Sequence, residues 1–226
     1  MPGRVIAITG AFGVLGAAVA EAAAESGARV ALIDVSHAPT ADDAALRLGG
    51  VDLTDPVQAG AAIDAVVDRF GALDALLNIA GGFRWETLEG GSLAHWPTLY
   101  RLNVLTAATA SRAAIPHLRR SPAGRIVNVG SAAALKASMG MGAYAASKAG
   151  VHSLTEALAE ELKPDGITVN AVLPSILDTP TNRADMPKAD PSTWVAPADL
   201  AAVMLFLAGP TSGAVTGALI PVTGRV

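Results

Sequence analysis

The sequence predicts a single-domain α/β fold in which a seven-stranded, mostly parallel sheet carries helices on both faces. Three observations support this fold class. Short apolar runs alternate along the chain with longer stretches of helical periodicity, which is typical of parallel sheets. The first apolar run leads into a glycine-rich turn and then into an alanine-rich helix. At 226 residues, and without repeats or low-complexity segments, the range 1–226 has the length of one domain.

The predicted strands are short apolar runs, because strands of a parallel sheet are buried on both faces. The run at 4–9 also fits the apolar part of a signal peptide, but the glycines that follow it favour a strand. In chain order, the strands are expected at 4–9, 29–33, 51–53, 73–78, 125–130, 167–173 and 215–222.

The predicted helices occupy the stretches between these strands, where apolar residues recur three and four positions apart. Proline at position 197 and aspartate at position 199 mark the beginning of the last helix, since both residues are favoured in a first helical turn. In chain order, the helices are expected at about 17–27, 55–70, 92–119, 143–162 and 197–208.

Composition excludes several classes of partner. The formal net charge is −4, the pI is near 5.5, and no basic stripe is present that would bind nucleic acid or an anionic membrane surface. No apolar run is long enough to span a bilayer. Without cysteine the chain forms no disulfides and uses no thiolate chemistry. We expect a cytoplasmic protein that acts on a small molecule, because this composition is compatible with a reducing compartment.

A glycine-rich turn joins the first predicted strand to the first helix. Backbone N–H groups at such a turn, together with the helix dipole, bind a pyrophosphate. Glycine is needed where a side chain would hold the phosphate away or clash within the turn. The arrangement predicts a Rossmann-type dinucleotide site. The turn residues expected to contact the dinucleotide are Gly10, Phe12, Gly13, Val14, Leu15 and Gly16.

Asp34 directly follows the second predicted strand. A carboxylate at that strand end accepts hydrogen bonds from both ribose hydroxyls of an adenosine and repels a 2′-phosphate. Neither Val35 nor Ser36 supplies a cation that would offset this repulsion. The sequence therefore favours NAD(H) over NADP(H). A helix-capping or solvent-exposed aspartate is the alternative interpretation of this position.

Tyr144 and Lys148 are four positions apart in a predicted helix, so their side chains project from the same face. A neighbouring ammonium favours the phenolate, which predicts that the pKa of Tyr144 is lowered from about 10 towards neutrality. Ser131 follows the fifth apolar run, where a loop can bring its hydroxyl beside the phenol. These three side chains are candidates for proton transfer to or from a substrate.

Together these motifs resemble the short-chain dehydrogenase/reductase family over nearly the whole chain. The resemblance rests on the glycine turn, on Asn-Ile-Ala-Gly at 78–81, and on the spacing of Ser131, Tyr144 and Lys148. It implies an oxidoreductase that moves a hydride between a nicotinamide and a small carbonyl or alcohol. Tyr144 would be the general acid/base, and Ser131 would hydrogen-bond the reacting oxygen. Lys148 would hold the nicotinamide ribose, and Asn103 would hold a water for proton relay.

The resemblance also implies dinucleotide contacts beyond the glycine turn. Two positions depart from the family's pattern: Val14 stands where the family usually has its middle glycine, and Ser175 replaces a glycine. Asn78 is mainly structural in the family, where it ties neighbouring strands together. The further contacts expected are Asp52, Leu53, Asn78, Ala80, Gly81, Tyr144, Lys148, Pro174, Ile176, Leu177 and Thr179.

The substrate is expected beside the loop at 82–91, at the carboxyl end of the fourth strand. The polar, proline-rich segment at 179–197 is short for the substrate lid that the family inserts here, which favours a small substrate. Arg84 or Arg183 either recognises an acidic group or faces water. Loop aromatics also serve packing, and the predicted substrate contacts are Phe83, Trp85, Met139 and Trp194.

Two other functions remain open at this point. The glycine spacing and the segment 177–194 are also similar to dihydropteridine reductase, which would make a quinonoid pterin the substrate. That enzyme group typically lacks the serine and the helix asparagine, so Ser131 and Asn103 favour carbonyl or alcohol chemistry. A dinucleotide sensor without catalysis would be expected to lose Tyr144 or Lys148, and both are present.

The resemblance implies contact between subunits through the helices predicted at 92–119 and 143–162, which are apolar on more than one side. A homodimer or homotetramer is therefore expected, although helices buried within one chain have the same pattern. The histidines lack the spacing of metal ligands, and no metal site is predicted. They are interpreted as surface or capping residues, with packing favoured for the second of the four: His37, His95, His117 and His152.

Overall fold

The computed structural model describes residues 1–39 and 44–226. Its strands are β1 Val5–Thr9, β2 Arg29–Ile33, β3 Leu46–Leu48, β4 Ala75–Asn78, β5 Arg125–Val129, β6 Thr168–Pro174 and β7 Leu219–Val222. They form one seven-stranded sheet in the order β3-β2-β1-β4-β5-β6-β7, with every neighbouring pair parallel. The predicted α/β fold with a seven-stranded sheet is confirmed.

The third strand is not where the sequence predicted it. β3 lies at the edge of the sheet beside β2, whereas 51–53 is not a strand and leads into a turn. The side chain of Asp52 accepts a hydrogen bond from the backbone N–H of Thr54 at 2.8 Å. An aspartate that bonds the backbone two residues further on favours a turn over a strand. The strand predicted at 51–53 was wrong for this reason.

The helices follow the predicted order, with one interruption. The range predicted as a single helix at 92–119 consists of two helices joined by a π-helical segment, Arg101–Leu105. No helix in the described part of the chain is both long and apolar enough to cross a bilayer. The helices are α1 Val14–Glu25, α2 Pro56–Phe70, α3 His95–Tyr100, α4 Thr106–Leu118, α5 Gly142–Leu162, α6 Pro180–Asp185 and α7 Pro197–Ala208.

Both faces of the sheet are covered by helices, each with its own apolar core. Val5 and Ala7 of β1 point to one face, while Ile6 and Ile8 point to the other, because successive side chains alternate across a strand. All four side chains are fully buried, as expected for a central parallel strand. The first face packs against α2, α4 and α5, and the second against α1 and α7.

The site is positioned by the order of the strands. β1 and β4 are neighbours in the centre of the sheet, although β2 and β3 lie between them in the chain. The connections from β1 and β4 therefore leave in opposite directions and open a crevice at the carboxyl ends of these strands. The glycine turn after β1 and residues 79–82 after β4 lie on the two sides of that crevice.

Candidate active site

A cleft of about 580 Å³ occupies this crevice. Most residues predicted to contact the dinucleotide lie on its wall, together with two catalytic candidates. Its wall also contains Thr54, Leu102, Thr106 and Thr181, which carry no sequence motif and were missed. The predicted residues on the wall are Gly10, Phe12, Gly13, Val14, Leu15, Gly16, Asp34, Asp52, Leu53, Ala80, Gly81, Phe83, Tyr144, Lys148, Leu177 and Thr179.

The glycines of the turn have different roles. Gly10 has a φ of +63°, and a Cβ on it would lie 2.7 Å from the backbone nitrogen of Ala80. A Cβ on Gly16 would overlap the backbone of Gly10 and Ala11. A Cβ on Gly13, in contrast, would meet only the Gly10 carbonyl oxygen, at 3.5 Å. Gly10 and Gly16 are therefore required for the fold of the turn, whereas Gly13 keeps space free within the cleft.

The N-terminus of α1 lies on the cleft wall, and its backbone N–H groups are not capped by any side chain. Gly13 is the N-cap residue, no side chain caps the helix, and its first turn holds no acidic residue. The first backbone N–H groups of a helix have no partner within the helix and carry partial positive charge. This helix end is therefore suited to bind a phosphate group.

Asp34 lies at the far end of the cleft and is buried. One carboxylate oxygen accepts a hydrogen bond from the backbone N–H of Phe12 at 2.9 Å, and the other accepts from the backbone N–H of Ser36 at 2.9 Å. Both bonds fix the carboxylate at the rim of the glycine turn. Each oxygen retains a lone pair for a further donor.

Two side chains of α5 hold the end of β5. Nζ of Lys148 donates a hydrogen bond to the backbone oxygen of Val129 at 2.7 Å. One turn earlier on α5, the phenol of Tyr144 lies near the side chain of Ser131, whose hydroxyl acts to lower the pKa of the phenol. The Ser131 hydroxyl also accepts from the backbone N–H of Ala133, at 3.2 Å, where it caps a 3₁₀ turn. The structure thus brings the predicted serine, tyrosine and lysine together.

The electrostatics of the group differ from the prediction. Burial raises the pKa of Tyr144 above its ordinary value of 10.0, and the hydrogen bond from Ser131 opposes this rise only in part. Burial also lowers the pKa of Lys148 from 10.5 to about 8. The predicted lowering of the Tyr144 pKa by the neighbouring ammonium is wrong for the protein without a dinucleotide. Desolvation of the phenolate is the larger of the two causes that act on this pKa.

Asn103 lies in the π-helical segment and is buried. Its side-chain nitrogen donates to the backbone oxygen of Gly82 at 3.0 Å and to the hydroxyl of Ser147 at 2.9 Å. Its side-chain oxygen accepts from the backbone N–H of Gly82 at 2.9 Å. The amide therefore fixes the loop after β4 to α5. Both N–H donors of the amide are used, and its oxygen keeps one lone pair to which a water of the predicted relay could donate.

Asn78 lies behind the cleft, in a buried polar network. Its side-chain nitrogen donates to the hydroxyl of Ser111 at 3.0 Å and to the side-chain oxygen of Asn128 at 2.9 Å. Asn128 in turn donates to the hydroxyl of Thr155 on α5 at 2.9 Å. The network joins β4, β5 and two helices. Asn78 therefore stabilises the packing of the elements behind the cleft and does not lie on the cleft wall.

The sequence matches a known protein-family model. The family model for short chain dehydrogenases matches residues 4–190, which is most of the chain. The chain belongs to the short-chain dehydrogenase/reductase family. Its cleft fits the dinucleotide of that family, because the glycine turn is open at Gly13, the N-terminus of α1 is uncapped, and Asp34 closes the far end.

Relatives of this short-chain dehydrogenase carry several activities in their names. The chain is 31% identical over 237 residues to the 3-oxoacyl-(acyl-carrier-protein) reductase FabG of Vibrio cholerae, covering 99% of this chain and 97% of that protein. It is 32% identical over 242 residues to D-threitol dehydrogenase of Mycolicibacterium smegmatis, covering 99% and 93%. The structure of carveol dehydrogenase from Mycobacterium avium in complex with NAD matches with a TM-score of 0.86 and 27% identity, covering 99% and 97%.

The segment after β6 accommodates the departure from the family's glycine. The hydroxyl of Ser175 donates to the backbone oxygen of Thr223 at 2.8 Å. No non-glycine residue in the ranges 1–39 and 44–226 has a positive φ, so Ser175 adopts its position without left-handed strain. Thr179 caps α6 by accepting from the backbone N–H of Asn182. Pro174 is the last residue of β6, and neither it nor Ile176 lies on the cleft wall.

The predicted substrate residues separate into two groups. The ring of Phe83 meets the ring of Tyr144 edge to face, with centroids 4.9 Å apart. The indole N–H of Trp85 donates to the backbone oxygen of Met139 at 3.0 Å, which ties the loop after β4 to the segment before α5. Phe83, Trp85 and Met139 are exposed, whereas Trp194 is buried, and of these four residues only Phe83 lies on the cleft wall.

The histidines and Arg183 also have defined positions. Arg183 forms two hydrogen bonds with the carboxylate of Asp178, at 2.5 and 2.7 Å, so it holds α6 in place. His95 pairs with Glu86 at 2.8 Å. The interpretation of His152 as a surface or capping residue was wrong, because its ring is buried against β5. The described residues contain no cluster of three or more His, Cys, Asp or Glu side chains that could hold a metal ion.

Proposed function

We propose that the chain is an NAD(H)-dependent oxidoreductase that transfers a hydride between a nicotinamide and a small carbonyl or alcohol substrate. The observation that carries the proposal is the group formed by Ser131, Tyr144 and Lys148. The hydroxyl of Ser131 lies close enough to the phenol of Tyr144 to act on its pKa, and Lys148 lies one helical turn from the tyrosine. Tyr144 and Lys148 both line the cleft that fits a dinucleotide.

Ser131 and Tyr144 have different tasks in the proposed reaction. Bound in the cleft, the nicotinamide supplies or accepts the hydride. In reduction, Ser131 donates a hydrogen bond to the carbonyl oxygen, and Tyr144 gives its proton to the same oxygen. The raised pKa of Tyr144 keeps the phenol protonated at neutral pH, which suits the acid role. In oxidation the same groups act in reverse, and Tyr144 accepts the proton of the alcohol.

Lys148 provides a fixed positive charge beside the phenol. Its pKa of about 8 leaves it mostly protonated at pH 7, despite its burial. The bond to the backbone oxygen of Val129 uses one of its three N–H donors and leaves two for the hydroxyls of a nicotinamide ribose. We assign it the tasks of holding that ribose and stabilising the phenolate left after proton transfer.

Asp34 supports the preference for NAD(H) over NADP(H). Its carboxylate is held at the cleft wall by the backbone N–H groups of Phe12 and Ser36. Two lone pairs remain to accept from the adenosine ribose, and the charge repels a 2′-phosphate. The carveol dehydrogenase structure, in complex with NAD, is a family member with this cofactor.

The surroundings of Tyr144 support a small substrate with an apolar part. The exposed ring of Phe83 contacts the phenol, and the loop that carries Phe83 and Trp85 is fixed to the segment before α5 by the bond from Trp85 to Met139. A second cavity of about 240 Å³, which includes Trp96 and Ala143, lies next to the N-terminus of α5. Since the relatives are named for an acyl thioester, a polyol and a terpenoid alcohol, their names do not select one substrate.

The same proposal includes a homo-oligomer formed through the face that bears α3. Several apolar side chains on or beside α3 are exposed, an arrangement that a monomer rarely leaves unpartnered. The mass in solution tests this part, and a monomer at micromolar concentration would contradict it. The exposed residues are Leu93, Trp96, Tyr100 and Leu102.

A substrate screen tests the catalytic proposal. The purified protein is mixed with NADH and, in parallel, with ketones, ketoses, 3-oxoacyl thioesters and quinonoid dihydrobiopterin, and the loss of NADH absorbance is recorded. We expect oxidation of NADH with at least one carbonyl compound. Turnover of the pterin alone would replace carbonyl chemistry by pterin reduction. Binding of NADH without any turnover would indicate a dinucleotide sensor, and no binding would contradict the dinucleotide site itself.

A further inference from the structure

His152 is a buried side chain with no role in the proposed reaction. It lies on α5, one turn after Lys148 and two turns after Tyr144, so the three side chains share a face of the helix. Its ring is 6% exposed. Nε2 accepts a hydrogen bond from the backbone N–H of Ser131 at 3.3 Å. The imidazole thus contacts the backbone of the residue whose hydroxyl acts on the pKa of Tyr144.

Gly130, at the end of β5, leaves space for this ring because it has no side chain. A Cβ on Gly130 would lie 2.6 Å from Nε2 of His152 and 2.8 Å from its Cδ2. Any larger residue at position 130 would push the ring away from Ser131. Gly130 itself is fixed on its other side, because its N–H donates to the backbone oxygen of Val172 at 2.9 Å.

Three consecutive residues at the end of β5 are therefore held by different partners. The backbone oxygen of Val129 binds Lys148, the N–H of Gly130 binds β6, and the N–H of Ser131 binds His152. Without His152, the backbone N–H of Ser131 would be buried and unpaired. The residue that carries the serine hydroxyl would then lose its last anchor before the 3₁₀ turn.

We propose that His152 is a positioning residue for Ser131, whose neutral imidazole accepts the serine N–H and fixes the direction of the serine hydroxyl relative to Tyr144. Since Nε2 is the acceptor, the ring proton is on Nδ1. Protonation at Nε2 would remove the acceptor and place a second cation beside Lys148. This inference rests on the catalytic role of Ser131 given above.

The surroundings of the ring favour the neutral form. Burial is the main cause that lowers the pKa of His152 below 6.5, and the charge of Lys148 acts in the same direction. Glu156, one turn further along α5, acts weakly in the opposite direction. On the strand side, the ring faces Gly130, which carries no charge. At neutral pH the imidazole is therefore available as an acceptor.

The test compares His152→Leu, which removes the acceptor, with His152→Gln, which keeps a side-chain oxygen of suitable length. With a carbonyl substrate from the screen, we expect the leucine variant to lose about tenfold in kcat while its Kd for NADH changes little. The glutamine variant should retain kcat within about threefold of the wild type. His117→Leu, in the last turn of α4 and off the cleft wall, is the control and should keep full activity.

A double-mutant cycle separates positioning from general damage to the fold. In a Ser131→Ala background there is no hydroxyl left to direct, so His152→Leu should change kcat by less than about twofold. An equal loss in both backgrounds, or an unchanged kcat in the leucine variant, would overturn the inference. If the leucine variant does not fold, His152→Asn, which is too short to reach the serine N–H, replaces it with the same two outcomes. If Ser131→Ala alone leaves turnover intact, the proposed function fails instead.

Discussion

The hydroxyl of Ser131 lies near the phenol of Tyr144 at the end of β5, where it stabilises the phenolate and acts to lower the pKa of Tyr144. The serine is buried, and the phenol is partly enclosed by α5 and the loop that carries Phe83. Enclosure disfavours the charged phenolate, so the pKa of Tyr144 is raised from 10.0. In the protein without a dinucleotide, Tyr144 is therefore protonated at neutral pH and can act as a proton donor.

We expect Tyr144 in the dinucleotide-free protein to titrate above pH 10.0. The chain has two tyrosines, Tyr100 and Tyr144, so the ultraviolet pH-difference spectrum of the wild type minus that of Tyr144→Phe isolates the phenol of interest. Tyr100→Phe is the matched control and should leave that difference spectrum unchanged. A midpoint below 10.0 would mean that the charge of Lys148 outweighs burial, as the sequence first suggested.

Lys148 should make the stability of the protein depend on alkaline pH. Its folded-state pKa of about 8 lies below the 10.5 of the unfolded chain, so the unfolded state binds more protons between these values. The wild type therefore gains free energy of unfolding as pH rises through this window, relative to Lys148→Met. The relative gain should be on the order of 3 kcal/mol between pH 7.5 and 10.5.

Denaturant unfolding of both proteins across this pH range measures the difference. Lys136→Met, at an exposed position, is the control and should give no comparable pH dependence. A difference between wild type and Lys148→Met that stays constant from pH 7.5 to 10.5 would contradict the lowered pKa of Lys148. The methionine variant should also lose turnover, because the charge beside the phenol is gone.

The glycine turn offers a matched pair of substitutions. Gly16→Ala should lower the free energy of unfolding by roughly 1–3 kcal/mol, because its methyl group would overlap the backbone of Gly10 and Ala11. Gly13→Ala should fold normally, since its methyl group would make only an ordinary contact at 3.5 Å. It should raise the Kd for NADH by roughly tenfold, because the methyl group would occupy space needed by a phosphate of the dinucleotide.

Thermal unfolding and calorimetric titration with NADH separate these two effects. If Gly13→Ala binds NADH as tightly as the wild type, the phosphate does not approach this part of the turn. If Gly16→Ala is as stable as the wild type, the turn has more room than its backbone contacts show.

Asp34→Ala should shift cofactor choice towards NADPH. Removing the carboxylate abolishes its repulsion of the 2′-phosphate and its bonds to the ribose. The ratio of kcat/KM for NADH over NADPH should fall by at least about tenfold, or roughly 1.4 kcal/mol. Asp68→Ala removes the same charge from an exposed position on α2 and should leave the ratio unchanged. An unchanged ratio in the Asp34 variant would mean that another group sets the preference.

The sequence was sufficient for those features that repeat or have a fixed spacing. The buried strands are apolar throughout, and the glycine turn lies between a strand and a helix, so the sheet and the position of the cleft could be predicted. The two departures were local. At 51–53 the backbone bond made by Asp52 produces a turn, and Leu46–Leu48 is too short and too mixed in polarity to be recognised as a strand.

Contacts between segments that are far apart in the chain could not be predicted from the sequence. The pKa of Tyr144 depends on how far the fold encloses the phenol, which the spacing of Tyr144 and Lys148 does not encode. The side chain of Asn103, in the π-helical segment, is hydrogen-bonded to Gly82 and Ser147, which lie on two other elements. His152 carried one usable signal, since it follows Lys148 by four positions and therefore shares its helix face.

The measurement that tests the account most directly is the turnover of Tyr144→Phe with a carbonyl substrate found in the screen. Phenylalanine keeps the ring and its edge-to-face contact with Phe83 but cannot supply a proton. We predict that kcat falls by roughly 10²–10⁴-fold while the Kd for NADH stays within about threefold of the wild type. A variant that binds NADH and turns over the substrate at the wild-type rate would contradict the assignment of Tyr144 as the proton donor.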